Sequence, residues 1–306
     1  MSLRLDMLRA AGRTSDWKPE AAARAARFLQ AAALPDGGYR DRAGASDLYY
    51  TAFALQGLAA LGFIDEPAAP EPAAGAAGGF LSPTRRYLAA FADGAALDFV
   101  HLACLARCWA IVGGPTADVR GTLLGRIEAH RTADGGYNAS AGAPAGTAYA
   151  AFLALGAYED FDTPLPDPAG LGRSAQSLRT RDGGYANEGG GARASTPATA
   201  AAITVLAELG EETPYSATAW LLAQAERTGG FRAMAGLPVA DLLSTATALH
   251  ALARAGVVLG RLADACLSFT TGLQTPDGGF RGHVGDDTPD CEYTFYGLLA
   301  LGHLLD

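Results

Sequence analysis

The stretch that decides the fold is Gln274–Gly302, which reads QTPDGGFRGHVGDDTPDCEYTFYGLLALG. It contains an Asp-Gly-Gly turn followed by an aromatic residue, then a polar loop, then an almost wholly apolar segment. Because glycine adopts positive φ without steric cost, this turn lets the chain leave one helix in a left-handed conformation and reverse. The stretch therefore predicts a helical hairpin whose aromatic residue covers the end of the pair.

The same turn recurs along the chain at a nearly constant spacing. Its first glycine stands at positions 37, 135, 183, 229 and 278, so the intervals are 98, 48, 46 and 49 residues. Since 98 is two periods of 49, one further copy, whose turn lacks the glycines, is expected near residue 86. Residues 83–113 keep its helix pair as RRYLAAFA and DFVHLACLARCWAIVG. The chain is predicted to consist of six helical hairpins of about 48 residues each.

Each hairpin combines a polar-faced outer helix with an apolar inner one, as in the segment from Pro19 and in Ser46–Gly62. An open stack of such units needs a polar terminal cap, which the last inner helix lacks. We therefore expect six inner and six outer helices to close a ring. Residues 1–18 are interpreted as a lead-in, residues 19–306 as a single domain, and Pro67–Gly79 as a flexible insertion.

Composition limits the classes of partner. Of the 306 residues 49% are hydrophobic and 18% charged, which indicates a large buried core. A net charge of -9 argues against nucleic acid and anionic membranes as partners. The N-terminus lacks a signal-peptide pattern and no apolar run is long enough for a membrane span, so the sequence predicts a cytoplasmic protein. The four cysteines have no zinc-binding spacing; Cys104, Cys108 and Cys266 are expected to be buried free thiols, and Cys291 is kept as a candidate site residue.

Ring closure predicts a central cavity. Six inner helices that run the same way bring their N-termini, each with roughly half a positive charge, to one mouth together with polar loop residues. The deeper wall is aromatic and aliphatic. A long apolar molecule with a polar head fits such a cavity.

The repeat resembles that of protein prenyltransferase β subunits and of the squalene-hopene and other terpene cyclases. Gln274–Phe280 is similar to the Q-x3-G-x-W signature of the cyclases and to the QxxDGGF form of the prenyltransferases. The resemblance covers Pro19–Leu305 and implies an all-α fold, the α/α toroid. It implies a hydrophobic small molecule, an isoprenoid or similar lipid, as partner. Because a β subunit normally works with a helical α subunit, it also implies a separate subunit, with a monomer or homodimer as the alternative.

The resemblance implies a catalytic zinc held by an Asp-x-Cys pair on the fifth inner helix and a His opening the sixth. Here Asp241 occupies the Asp position, Leu243 the Cys position and Tyr293 the His position. Zinc is not certain as a cofactor, because Leu and neutral Tyr do not provide the N, S or O donors of a near-tetrahedral site. A rearranged ligand set of Asp241, Cys291 and His101 is the alternative.

Two further signatures of these families are incomplete. The basic clamp for a prenyl diphosphate is represented by Arg232, followed by Met234 and Ala235 where further basic residues are implied. The DxDD acid of the cyclases has its nearest counterpart in Asp286 and Asp287, which we interpret by default as a solvated acidic loop.

The remaining candidates are polar and aromatic residues at the predicted mouth. The aspartates among them are also suited to capping inner helices, the histidine to a hydrogen-bonded core position and the tyrosines to packing. The candidate catalytic residues are Asp290, Cys291, Glu292, Tyr293 and Asp241. The candidate cavity or ligand-binding residues are Asp47, Tyr49, Tyr50, Asp98, His101 and Tyr149.

Two functions are consistent with the sequence. The first is a prenyltransferase-like or terpene cyclase-like enzyme that acts on an isoprenoid with a changed catalytic set. The second is a non-catalytic toroid that binds a hydrophobic ligand or a protein partner. Fold alone does not decide between them.

Overall fold

The computed structural model describes residues 2–64 and 81–305, so the predicted insertion Pro67–Gly79 lies outside the described residues. Two short antiparallel ribbons accompany the helices: β1 (Tyr39–Arg40) with β2 (Ser46–Asp47), and β3 (Phe231–Arg232) with β4 (Ala240–Asp241). The helices of the described residues are α1 (Leu3–Trp17), α2 (Pro19–Ala31), α3 (Leu48–Ala60), α4 (Ser82–Ala89), α5 (Phe99–Val112), α6 (Ala117–Glu128), α7 (Ala148–Asp160), α8 (Pro168–Ser177), α9 (Thr196–Glu208), α10 (Tyr215–Leu222), α11 (Leu242–Arg254), α12 (Leu262–Gly272) and α13 (Cys291–Leu304).

The predicted all-α toroid is confirmed. Helices α3, α5, α7, α9, α11 and α13 pack side by side in a ring, which closes where α13 packs against α3. The six even-numbered helices form the outer layer. Residues 3–17, which the sequence did not indicate as helical, form α1, and this helix packs mainly against α13, α2 and α3.

The glycine turns join neighbouring units as well as reversing the chain. Gly278 has φ +99°, and a Cβ there would lie 2.2 Å from the carbonyl oxygen of Arg24 in α2. Gly229 has φ +96°, and its Cβ would lie 2.0 Å from the carbonyl oxygen of Ala265 in α12. Each of these turns therefore contacts the backbone of the next outer helix. Because Gly278 belongs to the last unit and Arg24 to the first, this contact closes the outer layer.

A repeated hydrogen bond fixes each turn to its inner helix. The backbone N–H of Phe280 donates to Oγ1 of Thr294 at 3.1 Å, and that of Phe231 donates to Oγ1 of Thr245 at 2.9 Å. The aromatic residues after the turns are almost fully buried, as their predicted covering role requires. They are Tyr39, Tyr137, Tyr185, Phe231 and Phe280.

The second unit departs from the prediction in the position of its turn. A turn without the glycines was expected near residue 86. Helix α4 continues through that residue, and the chain reverses within residues 90–97 instead. Ala92 and Gly94 adopt φ values of +49° and +76° in this reversal. The helix pair of this unit was predicted correctly, but its connection is shorter than in the glycine-turn units.

Two further expectations are tested by the described residues. Cys104, Cys108 and Cys266 are buried free thiols, as predicted, and Cys291 is a buried free thiol as well. Within residues 2–64 and 81–305, none of the helices combines the length and the apolar character that crossing a bilayer requires. The division into a lead-in and one domain stays a prediction.

Candidate functional site

One face of the ring is formed by the N-termini of the inner helices, and each begins with a side-chain cap. The capping oxygen accepts a hydrogen bond from the backbone N–H three residues later, at 2.8 Å for both Asp241 and Asp290. The capping residues are Asp47, Asp98, Thr147, Ser195, Asp241 and Asp290. The aspartates that sequence analysis placed at the mouth are therefore there, and each satisfies a helix terminus.

Loops of neighbouring units accept hydrogen bonds from further backbone N–H groups at this face. The first N–H of α9 donates to the carbonyl of Ala233 at 2.8 Å, and that of α11 donates to the carbonyl of Gly282 at 2.8 Å. In α7 the first two N–H groups donate to the carbonyl and the side-chain oxygen of Asn187. These donors are thus engaged within the protein, so the expected attraction of the rim for anions is reduced.

The charged groups of the rim are paired with one another. Arg42, from the first unit, binds Asp286 at 2.8 Å and Asp290 at 2.7 Å, both in the last unit. Partial burial opposes ionisation of Asp286, but hydrogen bonds from Arg42 and two backbone N–H groups hold its pKa below the usual value. Arg232, the residue at the implied diphosphate clamp, lies 3.2 Å from Glu226. Both Arg42 and Arg232, the latter considered in the sequence analysis for an anion, are therefore paired with carboxylates.

His101 lies on the rim rather than in the core. Its Nδ1 is 2.8 Å from Oδ1 of Asp98, the cap of its own helix, and its Nε2 is 3.8 Å from Oδ2 of Asp47. About a third of the side chain is exposed. His101 and the two aspartates form one polar group at the junction of the first and second units.

The position of a residue relative to the cap determines whether its side chain faces the lumen, the space enclosed by the six inner helices. Residues two, six and nine positions after the cap lie on one helical face. In α13 these are Glu292, Tyr296 and Leu299, and all three line the central cavity. The same positions of α11, occupied by Leu243, Thr247 and His250, line it as well.

The described residues enclose two adjoining voids in the lumen of the ring. The larger, which we call the chamber, has a volume of about 410 Å³. The smaller, which we call the back pocket, has a volume of about 70 Å³. The two share a set of lining residues that separates them: Met7, Tyr49, Tyr149, Phe152 and Tyr296.

Glu292 is the acidic residue of the chamber lining. Its Oε1 accepts a hydrogen bond of 2.7 Å from the hydroxyl of Tyr49. Burial raises the pKa of the Glu292 carboxyl to about 7, against the opposing effect of the Tyr49 hydrogen bond. A substantial fraction of the Glu292 side chains is therefore protonated at neutral pH, and the carboxyl faces an apolar void.

Aromatic rings surround this carboxyl. The rings of Tyr49 and Phe53 meet edge to face with centroids 4.9 Å apart, and Phe53 lies 5.3 Å from Tyr296. Tyr149, whose surface is 42% exposed, stands in the wall of the chamber. Such rings provide apolar surface and negative π faces that attract a cation.

The zinc site implied by the sequence resemblance does not fit these residues. Leu243 faces the chamber, and the ring of Tyr293 packs under Arg42, whose guanidinium carbon lies 5.4 Å from its centroid. Within residues 2–64 and 81–305, no three or more His, Cys, Asp or Glu side chains are grouped so that they could hold a metal ion. The rearranged set of Asp241, Cys291 and His101 is therefore not assembled, which corrects that expectation.

Two of the candidate catalytic residues, Cys291 and Asp241, lie outside the lining of the chamber. Cys291 is 1% exposed, and burial raises the pKa of its thiol to about 12, so the thiolate is not formed at neutral pH. Burial also raises the pKa of Asp241, whose carboxylate accepts hydrogen bonds from the N–H and hydroxyl of Ser244.

Of the predicted site residues, Glu292, Tyr49 and Tyr149 meet at the chamber. Asp47, Asp98 and His101 form the polar rim group, while Tyr50 contacts Tyr49 edge to face. The structure adds lining residues that sequence reasoning missed. Most of those on the inner helices stand two, six or nine positions after a capping residue, so counting from the caps would have identified them. They include Met7, Phe152, Thr204, Thr247, His250, Tyr296 and Leu299.

A histidine, His250, also lines the chamber. Its Nδ1 lies 3.0 Å from Nε2 of His303, and its Nε2 lies 4.0 Å from Oδ2 of Asp6. Burial, with a further effect of His303, keeps the pKa of His250 well below its usual value. The imidazole is therefore neutral at physiological pH.

Comparisons with known proteins agree with this architecture. The chain matches the prenyltransferase alpha-alpha toroid domain over residues 5–74 and 199–305, more than half of its length. No curated protein matches it.

Solved structures show the same fold at low sequence identity. Protein geranylgeranyltransferase-I of Candida albicans, in complex with GGPP, is 16% identical with a TM-score of 0.53. The match covers 67% of this chain and 66% of the transferase chain, which is just under two thirds of the transferase chain. The type II terpene cyclase MstE from Scytonema is 15% identical with a TM-score of 0.59, covering 94% of this chain and 96% of that one. A variant of that cyclase in complex with geranylgeranyl dihydroxybenzoate has a TM-score of 0.58 at 15% identity, with 98% and 97% covered. The chain belongs to the prenyltransferase alpha-alpha toroid family.

Proposed function

We propose that this protein binds a neutral isoprenoid in the chamber and rearranges it by proton transfer, with Glu292 as the acid. One observation carries the proposal: Glu292, whose carboxyl pKa is raised by burial to about 7, lines an apolar, aromatic-walled void of about 410 Å³. A protonated carboxyl in such a void is suited to general acid catalysis.

The proposed substrate class rests on size, polarity and charge. The chamber wall consists largely of aromatic and aliphatic side chains, which suits a branched hydrocarbon chain. A diphosphate substrate is disfavoured, because Arg42 and Arg232 are paired with carboxylates and Leu243 and Tyr293 replace zinc ligands. The two similar structures carry GGPP and a geranylgeranyl compound, which supports an isoprenoid over other lipids.

The proposed reaction is an isomerisation. The carboxyl of Glu292 transfers its proton to one carbon of a double bond, whose π electrons form the new C–H bond and leave a carbocation on the other carbon. A second double bond attacks the cation and closes a ring. The carboxylate of Glu292 then accepts a proton from the carbon next to the new cation, so that the C–H electrons form the new double bond and the acid is restored. The hydroxyl of Tyr49 stabilises the carboxylate that the first step leaves, and the surrounding π faces stabilise the cation.

A second candidate function is a non-catalytic toroid that binds a hydrophobic ligand or a protein partner. The replacement of two zinc ligands by Leu243 and Tyr293 favours it, since the orthodox transferase chemistry of the family has lost its site. For either function we propose action in the cytoplasm, with a separate subunit or a second copy of the chain as a further partner.

The two functions are separated by incubation with linear C15 to C30 isoprenoid alcohols and hydrocarbons in D₂O, followed by gas chromatography and mass spectrometry. The proposed enzyme yields a cyclic isomer with one added deuterium at carbon, and Glu292→Gln abolishes it while Glu212→Gln, an exposed residue, leaves it unchanged. Chains bound without conversion identify the non-catalytic toroid. Failure to bind any chain rejects the enzyme and the lipid-binding toroid and leaves the toroid that binds a protein partner.

A further inference from the structure

Helix α1 lies across the end of the ring opposite the mouth. Its backbone approaches the C-terminal ends of two inner helices closely: a Cβ on Gly302 of α13 would lie 1.7 Å from the carbonyl oxygen of Ala10. A Cβ on Gly12 would lie 2.8 Å from the carbonyl oxygen of Ala60, the last residue of α3. The glycines therefore let this helix dock directly on the ring.

Buried and partly buried polar contacts hold the N-terminal half of α1 in place. Arg4 pairs with Asp160 at 3.0 Å, and the side chain of Asp160 is fully buried. Asp6 pairs with Arg254 at 2.7 Å, and the N–H of Leu3 donates to Glu159 at 2.7 Å. These partners end α7 and α11, so the helix spans the ring from one side to the other.

Met7 projects from this helix into the lumen. It is 7% exposed and lines both the chamber and the back pocket. The other four residues that separate the two voids are aromatic and belong to α3, α7 and α13. Met7 is therefore an unbranched side chain with three rotatable bonds, whereas the other four residues between the two voids carry rigid aromatic rings.

The back pocket behind Met7 has room for more of an apolar chain. Its wall includes Ala52, Ala103 and Leu153 and ends at the paired charges of Arg107 and Asp160. Its 70 Å³ corresponds to about two water volumes, and a Met side chain has three heavy atoms beyond Cβ. Together they correspond to about five heavy atoms, the number of carbons in one isoprene unit.

We propose that Met7 determines the longest isoprenoid chain that the toroid accepts, so that α1, which lies outside the ring, supplies the specificity of the lumen. The inference rests on the proposed isoprenoid binding. With Met7 in place the chain ends in the chamber. With a shorter side chain the chamber and the back pocket become one space, and the chain extends toward Arg107.

The experiment measures binding of linear isoprenoid alcohols with 10, 15, 20, 25 and 30 carbons to the full chain by isothermal titration. Relative to wild type, Met7→Ala raises affinity for the first chain that wild type excludes by about tenfold, and Met7→Phe lowers affinity for the longest accepted chain by a similar factor. Leu5→Ala, on the same helix but outside the lining of both voids, leaves the preference unchanged.

The outcomes distinguish this inference from the function on which it rests. Binding by wild type with the same chain-length preference in both Met7 variants overturns the role of Met7 and leaves the proposed function standing. Absence of binding by every folded protein, with folding checked by circular dichroism, overturns both. A shift in opposite directions for the two variants supports both.

Discussion

The hydroxyl of Tyr49 donates a 2.7 Å hydrogen bond to Oε1 of Glu292 across the seam where the first and last inner helices meet. The seam also joins Arg42 of the first unit to Asp290 of the last. The proton that Glu292 carries is therefore controlled by a contact that exists only when the ring is closed. This couples the closure of the fold to the chemistry of the chamber.

The stability of the protein is expected to depend on the protonation of Glu292. Burial raises its pKa in the folded state to about 7 from 4.5, so folding favours the protonated form. This contribution is complete below pH 4.5 and is lost as the pH rises through 7, with an upper size of about 3 kcal/mol. Glu292→Gln mimics the protonated form. It should therefore unfold in urea much like wild type at pH 5 but be more stable than wild type at pH 8.

Glu159 titrates in the same range, because burial raises its pKa to about 7 as well. It is present in both proteins, so the difference between wild type and Glu292→Gln isolates the effect of Glu292. Glu212→Gln, at an exposed position, is the control, and its difference in stability from wild type should be the same at pH 5 and pH 8. An equal difference at pH 5 and pH 8 would contradict the assigned protonation of Glu292.

Removal of the Tyr49 hydroxyl should change both the pKa of Glu292 and the reaction. In Tyr49→Phe the carboxylate loses a donor, so its pKa should rise further and isomer formation should fall by about tenfold. Isotope-edited infrared titration of the carboxyl measures the pKa. Tyr50→Phe is the matched control, since Tyr50 lies outside the lining of the chamber and the back pocket. A pKa that stays constant or falls would show that the hydrogen bond does not support the carboxylate.

The ring could be predicted from the sequence because its signals are local and repeated. The glycine turns and the apolar helices after them depend on a few neighbouring residues, and their spacing counts the units. Helix α1 could not be predicted in this way. Its place depends on contacts distant in sequence, such as the hydrogen bond of Thr14 to the carbonyl of Leu298 and the pair of Arg4 with Asp160.

The site was predicted only at its mouth. Sequence reasoning selected polar and aromatic residues near the helix starts, and of these Glu292, Tyr49 and Tyr149 stand two positions after a cap and line the chamber. Asp290 and Tyr293, at neighbouring positions, belong to the rim contacts because each residue turns the side chain by about 100°. The deeper lining follows from the same helical period, but it consists partly of apolar side chains, which have no chemical signature in a sequence.

Closure of the outer layer should depend on Gly278. Its φ of +99° and the 2.2 Å approach of a Cβ to the carbonyl of Arg24 make Gly278→Ala both strained and overpacked. We expect a loss of about 2 to 5 kcal/mol in the free energy of unfolding. Gly44→Ala is the control: Gly44 also has a positive φ, +89°, but a Cβ there would meet nothing within 4 Å. This variant should lose about 1 kcal/mol in the free energy of unfolding. Equal thermal midpoints for the two variants would argue against this closing contact.

Docking of α1 should depend on Asp160. Its buried carboxylate binds both Arg4 and Arg107, so Asp160→Asn leaves two guanidinium groups without their charged partner inside the protein. We expect a loss of about 3 to 5 kcal/mol in the free energy of unfolding. Hydrogen exchange should also speed up in residues 3–17 before the ring opens, because the helix loses its anchor while the inner helices keep their own contacts.

The matched control is Asp93→Asn, which removes the solvent-exposed partner of Arg126. A surface pair contributes little to stability, so this variant should show a much smaller change in unfolding midpoint and normal exchange in residues 3–17. If Asp160→Asn exchanged like wild type in that segment, α1 would be held by its glycine contacts rather than by charge. The docking of the helix would then follow from the close approach of Gly302 to Ala10.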